Sequence, residues 1–163
     1  MIRRSTGLPM RPAGRAIVLK DGCLLVMKRT KPGGFQYMVT PGGRVEPGEK
    51  PEETVIREVA EETTVVISNP HLVFVEEPND GVWGTQYIYL CDYVSGDARL
   101  NPESEEYYYQ QKGHGTFDPL WIPINEFPDI EYPFLSVRLG KEIKKALTTG
   151  FPASPKHWTI DGV

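Results

Sequence analysis

Short apolar blocks occupy the first forty positions, and the period then changes to that of a helix. Ala16–Leu19 and Cys23–Met27 are separated by Lys20-Asp21-Gly22, and Asp-Gly between two such blocks predicts a β-hairpin. Lys31–Gly34 predicts a loop, and Gln36–Val39 a short strand leading into Pro41-Gly42-Gly43. A helix is predicted from Pro51, since the first helical position leaves its N–H unpaired in any case. Glu52 and Glu53 suit the positive end of the helix dipole, and Glu53 can pair with Arg57 one turn later. Lys50 is a poor N-cap residue, so the start is set more by the loop than by capping. Thr63-Thr64-Val65-Val66 offers no stop residue, so the helix is expected to run on through Thr64.

Downstream, His71–Glu76 and Thr85–Val94 read as strands around a Pro78–Gly81 turn. In the second, Ile88 and Leu90 share one face while Tyr87, Tyr89, Cys91 and Tyr93 share the other, which predicts cover on both faces. Asn101–Asp118 reads as a long polar loop, Leu120–Ile122 as the final strand and Phe134–Leu147 as an amphipathic helix with Leu135, Val137, Ile143 and Leu147 among its apolar positions. This order of elements predicts an α/β fold with a mixed sheet between helices. It also suggests an irregular arm over 1–13, one domain over 14–148 and a tail over 149–163.

The helix after the glycine loop has two unlike faces. At about 100° per residue, Glu58, Glu61 and Glu62 fall on one arc, and Ile56, Val59, Ala60 and Thr63 on a largely opposite, core-facing arc. A solvated surface would explain an ordinary run of acids. Here Glu58 and Glu62 repel at i,i+4, at a cost of about 0.2–0.5 kcal/mol. The acids also lie near the helix C-terminus, where the dipole disfavours negative charge, and no Lys occurs between Lys50 and Thr64. A bound hard divalent cation removes both penalties.

Written out, these residues are Gly43-x5-Glu49-x7-Arg57-Glu58-Val59-Ala60-Glu61-Glu62-x2-Val65. The pattern resembles the Nudix box of the Nudix hydrolases at every charged position, with Thr64 where the family usually has glycine. Leu24-Leu25-Val26-Met27-Lys28-Arg29 and Pro41-Gly42-Gly43 resemble the family's approach to the box. The resemblance implies a Nudix-like α/β/α sandwich. It implies Mg2+ or Mn2+ held by Glu58, Glu61 and Glu62, with the Gly42 carbonyl as a further ligand. It gives Arg57 and Glu49 the task of bracing the loop against the helix, next to the reacting groups. The proton acceptor is either Glu58 or a downstream acid, for which Glu103, Glu105 and Glu106 are candidates and Glu103 the first choice. Lys28, Arg29 and Arg44 flank the glycine loop as candidate phosphate partners, and the segment holding Glu103 is expected to close over the phosphates.

The implied activity is a metal-dependent pyrophosphohydrolase cleaving a nucleoside diphosphate linked to another moiety: a nucleotide, a modified dNTP, a nucleotide sugar or a dinucleoside polyphosphate. The alternative is a Nudix-like domain that binds such a ligand without hydrolysing it. Pro78 and Asn79–Gly81 match neither of two substrate-subclass marks, a proline and a tyrosine beyond the box.

Bulk properties narrow the setting. A length of 163 residues with 39% hydrophobic and 10% aromatic content suits one globular domain. The net charge of -4 disfavours nucleic acid and anionic membranes as partners; a homodimer stays open. No apolar run approaches the roughly 18 residues of a membrane span. Cys23 and Cys91 lie in apolar stretches without metal or redox spacing, so a reduced, cytoplasmic protein is expected. Phe35, Tyr37, Trp83, Tyr87 and Tyr89 are candidate base-stacking residues, though strand aromatics are more often core. Arg3, Arg4, Arg11 and Arg15 are expected to lie on a solvated arm.

Overall fold

The computed structural model describes residues 10–126 and 134–161. The predicted hairpin is present as β1 (Ala13–Lys20) and β2 (Cys23–Thr30). Asp21 and Gly22 both take positive φ, 50° and 73°, the turn whose twist matches the strands it joins. The two strands pair only through Leu19↔Leu24 and Lys20↔Cys23 and then diverge. β2 continues against β3 (Gln36–Val39), while β1 continues against β4 (Gly42–Arg44).

Helix α1 (Pro51–Thr63) follows β4 and begins at the predicted proline. β5 (Val66–Asn79) and β6 (Gln86–Ser95) pair antiparallel, and β6 runs parallel to β1. α2 (Glu105–Gln111), β7 (Thr116–Pro123), α3 (Val137–Thr149) and β8 (Lys156–Asp161) complete the chain. The mixed sheet runs β3-β2-β1-β6-β5-β8, with β4 on β1 and β7 on β2. One core packs Val55 and Val59 of α1 against Ala16, Val18, Tyr89 and Cys91. The other packs Leu139, Ile143 and Ala146 of α3 against Ile17, Val73, Phe74 and Ile88. The alternation along β6 therefore assigns each face to its own helix, giving an α/β/α sandwich.

Six expectations need correction. α1 does not run through Thr64: that residue caps the helix in the left-handed conformation, φ 62° and ψ 3°, with its N–H donating to the Ala60 carbonyl. Contacts from beyond β6 stop the helix. The Thr64 hydroxyl donates to the Asp97 carbonyl (2.6 Å), while the Arg99 and Asn101 amides donate to the carbonyls of Thr63 and Glu62. Ile56 is exposed and Glu62 is buried, because the inward stripe of α1 runs through Val55, Val59, Glu62 and Thr63. The polar stretch 101–118 is not one loop: it contains α2 and the start of β7. Ser104 caps α2 by accepting from the Tyr107 amide.

β7 is not the final strand, since β8 pairs parallel with β5 from Phe74↔Lys156 to Asn79↔Asp161. Residues 156–161, expected in a tail, thus belong to the sheet. Arg15 lies within β1, paired with Gly42 and Ile88, and not on an arm; Arg3 and Arg4 fall outside the described residues. Cys23 and Cys91 are free thiols, and burial pushes the Cys91 thiol up to about 12. No helix among the described residues is long and apolar enough to cross a membrane.

Candidate active site

The loop at β4, the outward arc of α1 and the N-terminal end of α2 enclose a cavity of about 860 Å³ that is mostly polar. Glu62 is only 8% exposed, and its Oε2 accepts a hydrogen bond from the Gly42 amide at 3.3 Å. Glu58 lies against Gly43: a Cβ there would meet Oε1 and Oε2 at 2.6 and 2.7 Å. Glycine at 43 is therefore a close-approach requirement that lets the carboxylate reach the loop.

Arg57 connects this loop to the acids. Its Nε and Nη2 donate to the two oxygens of Glu49 at 2.8 and 2.9 Å, a bidentate pairing. Its Nη1 donates to Glu58 (2.9 Å) and Glu61 (3.2 Å). Glu49 also accepts from the Thr54 hydroxyl and the Glu46 amide. The Arg57 hydrogen bonds hold the Glu49 carboxyl down to about 2 and, reciprocally, raise the pKa of Arg57.

Three other acids, Glu62, Glu58 and Glu106, shift the other way. Burial pushes Glu62 well above the usual carboxylate range; Glu106 adds to this and Arg15 opposes it. Burial also raises Glu58, against the Arg57 hydrogen bond, and raises Glu106. Arg15 is lowered by burial, with Glu62 and Glu58 pushing back. Clustered carboxylates whose ionised forms are disfavoured fit a hard divalent cation, because the added charge inverts that balance. Among the described residues no three acidic side chains already converge as a closed cage; Arg57 engages Glu58 and Glu61 instead.

The cavity brings together Gly42, Arg29, Arg44, Arg57, Glu58, Glu61, Glu62 and Glu103. Lys28 is not among its lining residues. Arg29 reaches it with its guanidinium already donating to the His114 carbonyl (2.7 Å) and stacked 3.7 Å from the Phe117 ring centroid. The Arg44 guanidinium lies 5.5 Å from the Trp83 ring centroid. Of the candidate stackers, Tyr37 and Trp83 line the cavity, while Tyr87 and Tyr89 pack in or against the α1-side core.

Glu103 is exposed at the rim. Glu106 lies one helical turn further along and is the acid of this group whose charge acts on Glu62 and Glu58. The sequence held one signal for it, the N-cap serine at 104, which starts a helix and separates Glu103 from Glu106. Arg15 was missed as a site residue for want of reading a charge inside an apolar strand. Its Nε donates to Gln86 (3.2 Å) and its Nη1 faces the Thr40 and Gly42 carbonyls.

Comparison with known proteins agrees with this geometry. A model of the NUDIX domain matches residues 9–138. The chain is 30% identical over 95 residues to an ADP-ribose pyrophosphatase of Methanocaldococcus jannaschii, covering 55% of each chain. It is 33% identical over 98 residues to the NAD-capped RNA hydrolase NudC of Photorhabdus laumondii, covering 58% of this chain and 37% of that one. The chain thus spans about half or less of the length of these curated relatives. Among solved structures, a NUDIX hydrolase from Nitrosomonas europaea superposes with a TM-score of 0.71 at 16% identity, over 95% of this chain and 81% of that one. A MutT NUDIX hydrolase from Burkholderia pseudomallei gives 0.61 at 24% identity, over 83% and 98%. At these identities the likeness is one of fold.

Proposed function

The chain belongs to the NUDIX domain family, and from that premise we propose that it is a divalent-metal-dependent pyrophosphohydrolase. Its substrate would be a nucleoside diphosphate linked to another moiety. The observation that carries this reading is the cluster of Glu58, Glu62 and Glu106, each raised by burial, in a cavity large enough for a phosphorylated ligand. A binding module gains nothing from burying three like charges without a cation.

Glu58, Glu61 and Glu62 would hold Mg2+ or Mn2+, with the Gly42 carbonyl as a further candidate. The metal when bound neutralises phosphate charge and makes water a better nucleophile. Arg57 keeps Glu58 and Glu61 turned toward the loop, so it acts as a positioning residue. Glu106, or Glu58 in its stead, accepts the proton of the attacking water at a carboxylate oxygen. Arg44 at the mouth offers N–H donors to the phosphates, as does Arg29 where its carbonyl partners leave it free.

Release of phosphate or nucleotide from a panel tests the proposal in Mg2+, in Mn2+ and in excess EDTA. The panel contains ADP-ribose, NAD-capped RNA, 8-oxo-dGTP, ordinary NTPs, dinucleoside polyphosphates and nucleotide sugars. Turnover that needs the metal and is lost in Glu62→Gln supports it. Full turnover in EDTA would refute the metal dependence. Binding without turnover across the panel would return the chain to the non-hydrolytic reading.

A further inference from the structure

A second cavity, of about 360 Å³, opens beside the acid-lined one and shares Arg15, Val39, Trp83 and Leu135 with it. This volume lies within the range of small-molecule sites, roughly 300–1,000 Å³. Its remaining walls are largely apolar, including Ile88, Phe134, Leu139 and Ile160. Apolar walls next to a phosphate site suit a planar base.

Three charged residues line this cavity, Arg15, Asp80 and Glu76. Glu76 on β5 is only 4% exposed. Its Oε1 accepts from the Ser136 hydroxyl (2.5 Å) at the N-cap of α3 and from Trp158 Nε1 (2.8 Å) on β8. Both donors are used on one oxygen. Oε2 accepts none of the hydrogen bonds found among the described residues. Gln86 accepts from Arg15 and donates one N–H to the Gly84 carbonyl, Ser136 accepts from the Leu139 amide, Asp80 accepts from the Val82 and Trp83 amides, and Arg15 Nη1 faces the Thr40 and Gly42 carbonyls. At Glu76 the pocket therefore offers a ligand a hydrogen-bond acceptor.

We propose that Glu76 is a specificity-determining residue, selecting substrates whose base presents an exocyclic amine to its Oε2. This rests on the hydrolase reading above, and it adds which bases that site takes. A pocket wall built to accept a hydrogen bond rejects a ligand that brings a carbonyl instead, because two acceptors then face each other without a proton.

The test compares kcat/KM for base pairs that differ in the amine: guanosine with inosine, adenosine with inosine, and cytidine with uridine, each carrying the same phosphate chain. The amine-bearing member of at least one pair should be preferred about ten- to hundredfold, the range of a charge-assisted hydrogen bond. Glu76→Gln keeps an oxygen for Ser136 and Trp158 and turns the second position into a donor, so the same ratio should collapse or invert. A wild-type enzyme indifferent to the amine in all three pairs overturns the proposal, whether or not the variant folds. So does a folded Glu76→Gln that slows every substrate by one common factor. Calorimetric Kd values for the corresponding nucleoside monophosphates, measured without metal, separate the two readings. Amine selectivity in binding with no turnover would sink the hydrolase reading and leave this one standing.

Discussion

Thr64 sits where a helix ends in a conformation that a β-branched residue adopts at a cost. An L-residue in the left-handed region costs about 1–2 kcal/mol. Glycine escapes that cost but gives up about 0.5–1 kcal/mol more chain entropy on folding than alanine. Thr64→Gly and Thr64→Ala both delete the hydroxyl that donates to the Asp97 carbonyl, a bond worth about 0.5–1.5 kcal/mol net. The difference between the two variants therefore isolates the backbone, and glycine should be the more stable by about 0.5–1 kcal/mol. Thr64→Gly itself should stay within about 1 kcal/mol of the parent, since strain relief and the two losses nearly cancel. For a chain of this length the gap between the variants corresponds to about 1–4 °C in Tm. Thermal and urea unfolding of the three proteins side by side measures it. If alanine proves more stable than glycine, the position is a helix interior, where glycine costs about 1 kcal/mol, and the left-handed cap is wrong.

Three further outcomes follow from the site. Glu106→Gln should lower kcat by about 10²–10⁴-fold and Glu103→Gln by less than about twofold; equal and small effects would move the proton acceptor to Glu58. The Glu49 carboxyl, held down to about 2 by Arg57 against an ordinary value of 4.5, adds stability that is full above about pH 4.5 and lost as pH falls toward 2. Glu49→Gln should flatten acid unfolding in that window, and an unchanged pH slope would show that the pairing adds nothing. Gly43→Ala should destabilise the protein or displace the carboxylate that a Cβ would strike; a variant with parental Tm and parental kcat would contradict the close approach of Glu58.

The legible parts of this chain were those fixed by neighbours in sequence. The Asp21-Gly22 turn, the start of α1 at Pro51 and the two faces of β6 follow from local pattern. So does the acid set on α1, because a helix of known period decides which residues share an arc. What escaped was decided by distant segments. Glu62 lies on the acid arc yet is buried, because the Gly42 amide arrives from another element to donate to it. Thr64 ends the helix because residues 97–101 satisfy its last carbonyls, which Thr63-Thr64-Val65-Val66 does not announce. Arg15 looked like one more basic residue near the start, and only pairing with β4 and β6 sets it between Gln86 and the acids. Glu76 gave no signal at all, since its partners are 60 and 82 residues away.

That last separation bears on the order in which the molecule is made. The hairpin of β1 and β2, and α1 packed upon it, need only residues 13–63. β8 can dock on β5 only after residues 156–161 have left the ribosome, and domains gain structure N-terminal part first during synthesis. Parallel pairing over so long a span carries a loop-closure cost that local contacts do not. Until β8 arrives, Glu76 lacks Trp158 and β5 is an uncovered edge, open to pairing with another chain. The β4–α1 part of the acid-lined site is thus an early product of folding and the Glu76 cavity a late one. Pulsed hydrogen exchange during refolding should find the β5–β8 amides protected after those of β1 and β2. Simultaneous protection would mean that the sheet closes in a single step.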